Sequence, residues 1–524
     1  MKHDSRNLKY GSTSVIVSVL LIAAIILVNF VFTALSSKYA FYTDMTSDMT
    51  YTITDEVKEV LSDVTEEVNI IFCHDRDYVE ASTELHDVMI TAEYLADEFE
   101  WLNVKYVNSV AEPLQVSKYK LNSSDAVYQT HVIIESGDEW RKLSAKSFYV
   151  VDSDGTTVWG LQAEERFASA ILSVTASELP IAYVTNTHGE EIPLQLADTV
   201  ANAGFELRTI DLTKEDISPD ARLIIINGPK YDFSAGVRFI EDEEGKLVAE
   251  KVISELDKID KFLSQDCGSL MVFLDPYGED LPNLEQYLDE WGIVFNNNIV
   301  KDEGQSVTVD GNAIVGEYCT DDTIASNLID EIASLATKPK TIFNDAGTIS
   351  ISSAFAQVRA EDENSQTGLG APTGAYSSSV SAEYRDISPV FKTSNTALSF
   401  AADGSSPEGV AAGGEHLMTI SRQIKIIDNE YYYSYVLAAG TVSFDDDQWM
   451  VSNTYANEDV IYAALKQFGR ENVPSGIDFK VYAHYDIEDM TTAEADTATI
   501  IMVAALPAAF AVVGLVIIIR RKYR

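Results

Sequence analysis

The stretch Ile181-Ala182-Tyr183-Val184-Thr185-Asn186-Thr187-His188-Gly189-Glu190 shows the pattern that decides the fold of this chain. It begins as a short apolar run, which is typical of a buried strand, and ends in a polar turn. Two later segments repeat the pattern: Arg222–Ile226 leads into Asn227-Gly228-Pro229, and Ser269–Leu274 leads into Asp275-Pro276. We therefore expect three strands of one sheet, each followed by a polar turn.

Helical patterns separate these strands, at Leu194–Ala203 and from about Leu247 to Leu263, and a further one follows at Leu281–Trp291. Continuous apolar strands that alternate with amphipathic helices predict an α/β fold with a doubly wound sheet, buried on both faces. We assign this lobe to residues 178–302. A first α/β lobe is expected at 52–160, and 303–480 reads as a β-rich and loop region with a C-terminal helix.

Two charge-free apolar runs lie near the ends of the chain, at Val15–Leu35 and at Thr497–Ile519. A helix of about 20 residues spans the roughly 30 Å hydrocarbon layer of a bilayer, so both runs predict transmembrane helices. A cleaved signal peptide is the alternative for the first run. The basic residues in 1–14 and 520–524 predict cytoplasmic termini. The expected location is thus the cell membrane, with two passes, lipid contact through both spans and an extracytoplasmic centre.

Small and polar residues inside these two runs predict contact with a partner helix. Small side chains let helices approach closely, and a polar or helix-breaking residue in hydrocarbon favours a hydrogen-bonding partner. The candidate partner-contact residues are Asn29, Ala504, Ala505, Pro507, Ala508 and Ala509. The alternative is that the two spans pack on each other.

The charge of the chain limits its partners. Among 524 residues, 83 are acidic and 37 are basic, which gives a formal net charge of −46. A surface with this much negative charge repels phosphate backbones, so we expect no nucleic-acid partner. Three scattered cysteines and isolated histidines provide no metal-ligand spacing, so no metal and no cofactor are expected.

The polar turns after the three strands are candidate ligand-binding positions. If the strands are parallel, their carboxyl ends share one rim of the sheet, where ligands bind in open α/β folds. The candidates at this rim are His188, Gly189, Glu190, Asn227, Gly228 and Asp275. The alternative is that these residues only form tight strand-to-helix turns, which use Gly, Pro and Asp without any ligand.

Sequence motifs for catalysis are weak. Cys73-His74-Asp75 has the residue types of a triad, but sequence neighbours do not converge on one another as triad members do. Cys267 precedes its strand and so does not match a nucleophile elbow. The chain has no phosphate-binding loop of the G-x-x-x-x-G-K-[ST] type, so we expect that it does not itself hydrolyse nucleotide.

Several motifs together resemble the GldG-like family, the auxiliary components of gliding-motility-type and uncharacterised ABC transport systems. The resemblance runs over nearly the whole chain. It is carried by Tyr51–Thr54, Gly160–Glu164, Thr187–Glu190, Ile226–Lys230, Phe273–Pro276, Trp291–Ile293, Pro389–Ser394 and Val436–Gly440. Asn186-Thr187 departs from the family pattern, which has Thr-Gly before His-Gly-Glu.

The resemblance implies a non-catalytic subunit that associates with a separate permease and a separate ATP-binding subunit. It also implies a central lobe similar to the class I glutamine amidotransferase fold, without its catalytic residues. We therefore expect an extracytoplasmic, membrane-anchored auxiliary subunit of an ABC transport system. The alternative is an extracytoplasmic hydrolase or amidase with its site at His188, Glu190 and Asp275.

Overall fold

A computed structural model gives the conformation of most of the chain between residues 50 and 482. The described residues are 20, 22–27, 30, 50–120, 126–151, 158–176, 179–234, 236–241, 247–251, 253–320, 324–333, 338–357, 376–378, 384–405, 408–427, 430–451, 454–469, 477, 479–482, 514, 516, 519 and 520. The sheets described below all lie in the unit Met1–Val481, and the residues from Tyr482 onward form a second unit.

The α-helices are numbered in chain order. They are α1 Asp55–Val60, α2 Arg76–Ala81, α3 His86–Glu98, α4 Ala163–Thr175, α5 Leu194–Asn202, α6 Glu255–Ser264, α7 Pro282–Asp289, α8 Ser326–Ala333, α9 Asp447–Met450 and α10 Asn457–Gly469. Short 3-10 helices lie at Ala145–Phe148 and Val442–Asp445.

The strands are numbered in the same way. They are β1 Val68–Phe72, β2 Leu102–Tyr106, β3 His131–Ser136, β4 Glu139–Ser144, β5 Tyr149–Val151, β6 Val158–Leu161, β7 Ile181–Thr185, β8 Glu206–Ile210, β9 Ala221–Asn227, β10 Val237–Glu241, β11 Leu247–Lys251, β12 Ser269–Phe273, β13 Ile293–Phe295, β14 Asn298–Lys301, β15 Ala313–Val315, β16 Glu317–Tyr318, β17 Ile342–Asn344, β18 Ile349–Ile351, β19 Phe355–Gln357, β20 Tyr376–Ser378, β21 Tyr384–Lys392, β22 Leu398–Ala401, β23 Val410–Ala411, β24 His416–Ile427, β25 Glu430–Ala439 and β26 Lys480–Val481.

Five parallel strands form one end of the largest sheet, in the order β8-β7-β9-β12-β25, with β8 at the edge. Every residue of β7 and β12 is buried, as their continuous apolar sequences require. The chain passes from β7 to β8 on one side and then returns to β9 on the other side of β7. The carboxyl ends of β7 and β9 therefore form a switch point of the topology.

Helices cover both faces of these strands. Alternate residues such as Val184, Ile225 and Leu437 pack with α5, α8 and α10 in one core. The intervening residues, such as Ile226 and Val436, pack with α6 and α7 in a second core. The period of two along each strand divides its side chains between these two cores.

The sheet continues in antiparallel fashion beyond β25, through β24, β21, β20 and β19. It thus joins strands from both sides of residue 302, where the sequence placed the end of the second lobe. Because β25 supplies the fifth parallel strand, the region after 302 completes the core of the region before it.

The first lobe contains a four-stranded mixed sheet in the order β2-β1-β3-β4. The pair β1/β2 is parallel, whereas β1/β3 and β3/β4 are antiparallel. Helix α4 contacts β3 and β4 and thereby connects this sheet to the rest of the body.

The prediction of two membrane-spanning helices flanking the body is wrong for the part of the chain that the structure describes. In those residues no helix combines the length and the apolar character needed to cross a membrane. A spanning helix needs about 20 consecutive apolar residues, whereas the helical residues described within 15–35 are Leu20, 22–27 and Phe30. Most of 15–35 and 497–519 lies outside the described residues. The prediction of a two-pass location at the cell membrane depended on these helices and is wrong on the same ground.

The position of β25 inside the sheet gives a test of the fold. We expect Leu437→Ala to lower the free energy of unfolding by about 2–5 kcal/mol, because Leu437 is fully buried between neighbouring strands. The matched change Leu398→Ala, at a largely exposed position of β22, should cost less than about 1 kcal/mol. Urea denaturation of the intact chain measures both. Equal, small effects would contradict the placement of β25.

Candidate functional site at the carboxyl ends of the parallel strands

The parallel strands bring the predicted polar turns to one rim of the sheet. The turn after β7 carries His188, Gly189 and Glu190; β9 ends at Asn227, with Gly228 next, and Asp275 follows β12. In register, β7 pairs with β9 and β9 pairs with β12, so these three carboxyl ends are neighbours. The rim is therefore the place to look for a functional site.

His188 occupies the centre of a buried ionic cluster at this rim. Its side chain is 7% exposed, and the imidazole stacks on the ring of Phe233, with ring centroids 3.9 Å apart. Nδ1 lies 3.3 Å from Oε1 of Glu190, and Nε2 lies 3.2 Å from Oε1 of Glu255. The backbone N–H of His188 donates to Oε2 of Glu190 at 2.7 Å. One ring is thus held between two carboxylates.

These contacts set the charge state of the cluster. Burial by itself lowers the pKa of His188, but the hydrogen bonds and charges of Glu190 and Glu255 outweigh it and raise this pKa to about 9. For both carboxyls, burial opposes ionisation, but the contact with His188 and hydrogen bonds from neighbouring groups together outweigh it, so their pKa values are lowered. At neutral pH the cluster is an imidazolium between two carboxylates.

An imidazolium held in this way is a poor general base. A base needs a free nitrogen near the operating pH, and here both ring nitrogens face carboxylates. The hydroxyl of Thr187 lies 3.2 Å from Nδ1, yet a protonated Nδ1 cannot accept its proton. The geometry thus favours a structural role for His188: it ties the turn after β7 to the first residue of α6.

Gly189 and Gly228 serve close contacts of the chain with itself. Gly189 has a φ of +87°, and a Cβ there would lie 3.2 Å from side-chain carbons of Lys230. Gly228 has a φ of +61°, and a Cβ there would lie 2.8 Å from Cγ2 of Val442. Both positions need the left-handed backbone that glycine adopts at low cost. The space above each glycine is filled by this protein's own side chains.

Asn227 is buried and also holds neighbouring turns together. Its Nδ2 donates to the carbonyl of Glu191 at 2.8 Å, and its backbone carbonyl accepts from the N–H of Glu191 at 3.4 Å. Within the described part of the chain, its Oδ1 has no hydrogen-bond partner. Asp445 follows β25 and is fully buried. Burial holds the pKa of Asp445 well above its usual range, and the nearby side chain of Asn227 opposes this shift.

Asp275 lies apart from the histidine cluster. Its Oδ1 accepts from the N–H of Tyr277 at 2.9 Å, and it lines an open acidic depression with Glu279, Asp280 and Glu285. Among the described residues, Asp275 has no hydrogen bond or ion pair with His188 or Glu190. The structure therefore brings His188 and Glu190 together and leaves Asp275 outside.

Sequence reasoning missed Glu255 and Phe233. Glu255 begins α6, whose capping box between Ser254 and Asp257 marks the helix start but gives no sign of a histidine partner.

In the described residues, no group of three or more His, Cys, Asp or Glu side chains could hold a metal ion. The candidate partner-contact residues Asn29, Ala504, Ala505, Pro507, Ala508 and Ala509 lie outside the described residues.

Comparison with known proteins adds little to this geometry. No family model matches the chain. No curated protein matches it significantly. A similar solved structure is described as "mmIFT52 N-terminal domain"; it is 14% identical, and the alignment covers 55% of this chain and 97% of that chain with a TM-score of 0.35. A TM-score this low supports no argument about fold or function.

The histidine cluster predicts how stability depends on pH. Because the pKa of His188 is about 9 when folded and 6.5 in the unfolded reference, its contribution is complete below pH 6.5 and is lost as pH rises through 9. The difference corresponds to about 3 kcal/mol. The lowered pKa values of Glu190 and Glu255 add stability that is present above their usual value and lost in acid. Urea denaturation at pH 6 and pH 9.5 measures the alkaline loss.

His188→Gln should lower stability at pH 6 by about 3–5 kcal/mol, because two buried carboxylates lose their counter-charge. It should also abolish most of the alkaline loss. His86→Gln, a matched change at a partly exposed histidine of the first lobe, should preserve that loss. An unchanged pH profile in His188→Gln would contradict the cluster.

Proposed function

We propose that this chain is a non-catalytic auxiliary subunit of an ABC transport system, which works with a separate permease and a separate ATP-binding subunit. The observation that carries the non-catalytic part is the locked state of His188. The rim has the position of a ligand site in a doubly wound sheet, but its one histidine is fully engaged by Glu190 and Glu255. A rim of this kind can present a surface without performing acid–base chemistry.

Exposed aromatic side chains at the rim support a role in protein contact. Tyr231, four residues beyond β9, is 69% exposed, and Tyr277, four residues beyond β12, is 54% exposed. Tyrosine combines a large apolar ring with a polar hydroxyl and is enriched at protein interfaces. We therefore place the contact with the transport partners at this rim.

The transport part of the proposal rests on the resemblance to the GldG-like family. Two of the motifs that carry it have structural roles in this chain. Thr187–Glu190 supplies the histidine cluster, and Gly160–Glu164 leads into α4, where Glu164 accepts hydrogen bonds from the N–H and hydroxyl of Thr54. These roles explain why such residues are needed for the fold, and the partner assignment itself comes from the resemblance.

The hydrolase alternative requires more than this rim offers. It needs His188 as a free base in contact with Asp275, whereas both ring nitrogens of His188 face carboxylates and, among the described residues, Asp275 has no hydrogen bond or ion pair with His188. Hydrolysis rates measured with a panel of ester and amide substrates distinguish the proposal from the alternative. The proposal predicts equal background rates for the native chain and for His188→Gln. A rate that falls with His188→Gln, after correction for the folded fraction, would favour the alternative.

Co-purification tests the proposed association. The tagged chain, produced together with a candidate permease and ATPase pair from the same genome, should recover both from detergent extracts. The double change Tyr231→Ala and Tyr277→Ala should reduce recovery at least several-fold, because it removes two exposed aromatic contacts. Tyr128→Ala, a matched control at a 63% exposed tyrosine of the first lobe, should leave recovery unchanged.

Recovery of the native chain alone would contradict the proposed association. Recovery of both partners with equal yield from the double variant would instead contradict the rim as the contact surface.

A further inference from the structure

A buried carboxyl group lies beside the rim, in the 3-10 helix Val442–Asp445 that follows β25. Asp445 is 0% exposed, and both of its side-chain oxygens are buried. Among the residues that the structure describes, neither oxygen has a hydrogen-bond partner, and no cationic side chain forms an ion pair with Asp445. Carboxyl groups are almost never fully buried unless they are paired, so this group requires a physical explanation.

The residue before Asp445 holds this segment inside the body. Phe444 is fully buried, and its ring packs on those of Phe273 and Phe343, with centroid distances of 6.3 and 5.0 Å. The carbonyl of Phe444 accepts a hydrogen bond from Nδ2 of Asn457 at 2.9 Å. These contacts fix the backbone beside Asp445 among apolar side chains, away from solvent.

A second buried acceptor lies next to Asp445. Asn227, at the end of β9, is 2% exposed and close enough to Asp445 to act on its ionisation. Nδ2 of Asn227 donates to the carbonyl of Glu191 at 2.8 Å, whereas Oδ1 has no donor in the described part of the chain. Three buried acceptor oxygens, two of Asp445 and one of Asn227, are therefore left without a hydrogen.

The surroundings offer no positive charge to stabilise an ionised Asp445. Among the described residues, the charged groups that act on it are Asp446 and Asp447, and both oppose its ionisation. The strands and the helix that pack on this segment contribute uncharged side chains: Asn227, Phe273, Phe343 and Asn457. Burial and the two neighbouring carboxylates therefore raise the pKa of Asp445. An isolated charge in an apolar interior is so costly that the group becomes neutral instead.

We infer that Asp445 is protonated in the folded chain at neutral pH and that its O–H group donates to Oδ1 of Asn227. One proton then removes the buried charge and supplies the donor that the amide oxygen lacks. The hydrogen bond joins the segment after β25 to the end of β9, across β12, which lies between them in the sheet. Two strand ends of the rim are thus connected by a proton-dependent link, which ionisation of Asp445 breaks. The inference does not depend on the transport proposal.

Infrared spectroscopy tests the protonation on the full chain labelled with carbon-13 at the aspartate side-chain carboxyl. At pH 7 the native chain should show the C=O stretch of a neutral carboxylic acid, and Asp445→Asn should lack that component. Asp63→Asn, a matched change at an exposed aspartate of the first lobe, should retain it. A native spectrum without a neutral-acid component that disappears in Asp445→Asn would overturn the inference.

The pH dependence of stability provides a second test. The pKa of Asp445 is 3.8 in the unfolded reference and is raised by folding, so its favourable contribution is complete below 3.8 and is lost as the pH rises through the folded value. Between pH 5 and pH 7, the folding constant of the native chain relative to that of Asp445→Asn should fall about tenfold per pH unit in urea denaturation. A constant ratio would overturn the inference. Failure of Asp445→Asn to fold at pH 7 would do so too, because its neutral amide replaces a neutral acid.

The same infrared band tests the acceptor. Asn227→Ala removes the amide oxygen, so the C=O stretch of the neutral acid should persist and move to higher frequency, as for a carboxylic acid that has lost its hydrogen bond. Asn202→Ala, a matched change at an asparagine that donates to the carbonyl of Lys142 at 3.2 Å, should leave the band in place. An unmoved band in Asn227→Ala would overturn the assignment of Asn227 as the acceptor.

Discussion

A parallel sheet has two apolar faces, and both must be covered; this constraint organises the whole body. Helices α5 and α10 cover one face of the five parallel strands, and α6 and α7 cover the other. The fifth strand, β25, comes from late in the chain, so the early strands cannot complete their core until the later region folds onto them. The histidine cluster lies at the strand ends, outside this apolar core.

Two buried cations, His188 and Arg166, lie beside carboxylates. His188 lies 3.2–3.3 Å from two carboxylates, and its charge is compensated within the protein. Among the residues that the structure describes, Arg166 has a carboxylate, that of Asp459, at 3.5 Å, and its Nε has no hydrogen-bond partner. Both cations are thus offset by neighbouring carboxylates, and removing either cation would leave buried negative charge without compensation.

The sequence predicts local structure here better than it predicts assembly. The apolar runs of β7, β9 and β12 mark their strands because burial on both faces removes polar alternation. The helix expected from Leu247 begins instead at Glu255, after strand β11, because the capping box at Ser254 sets its start. Long apolar runs near the termini predicted membrane spans that the described residues do not show. The partnership of His188 with Glu255 depends on two turns meeting in space, which no local pattern encodes.

The account depends most directly on the charge of His188 in the folded chain. Nitrogen-15 NMR of histidine-labelled protein at pH 8, with His188→Gln used to assign the signal, reports the protonation of both ring nitrogens. The account predicts that Nδ1 and Nε2 of His188 both carry protons at this pH, because the pKa is about 9. A neutral imidazole with one unprotonated nitrogen would contradict it, and would return His188 to consideration as a catalytic base.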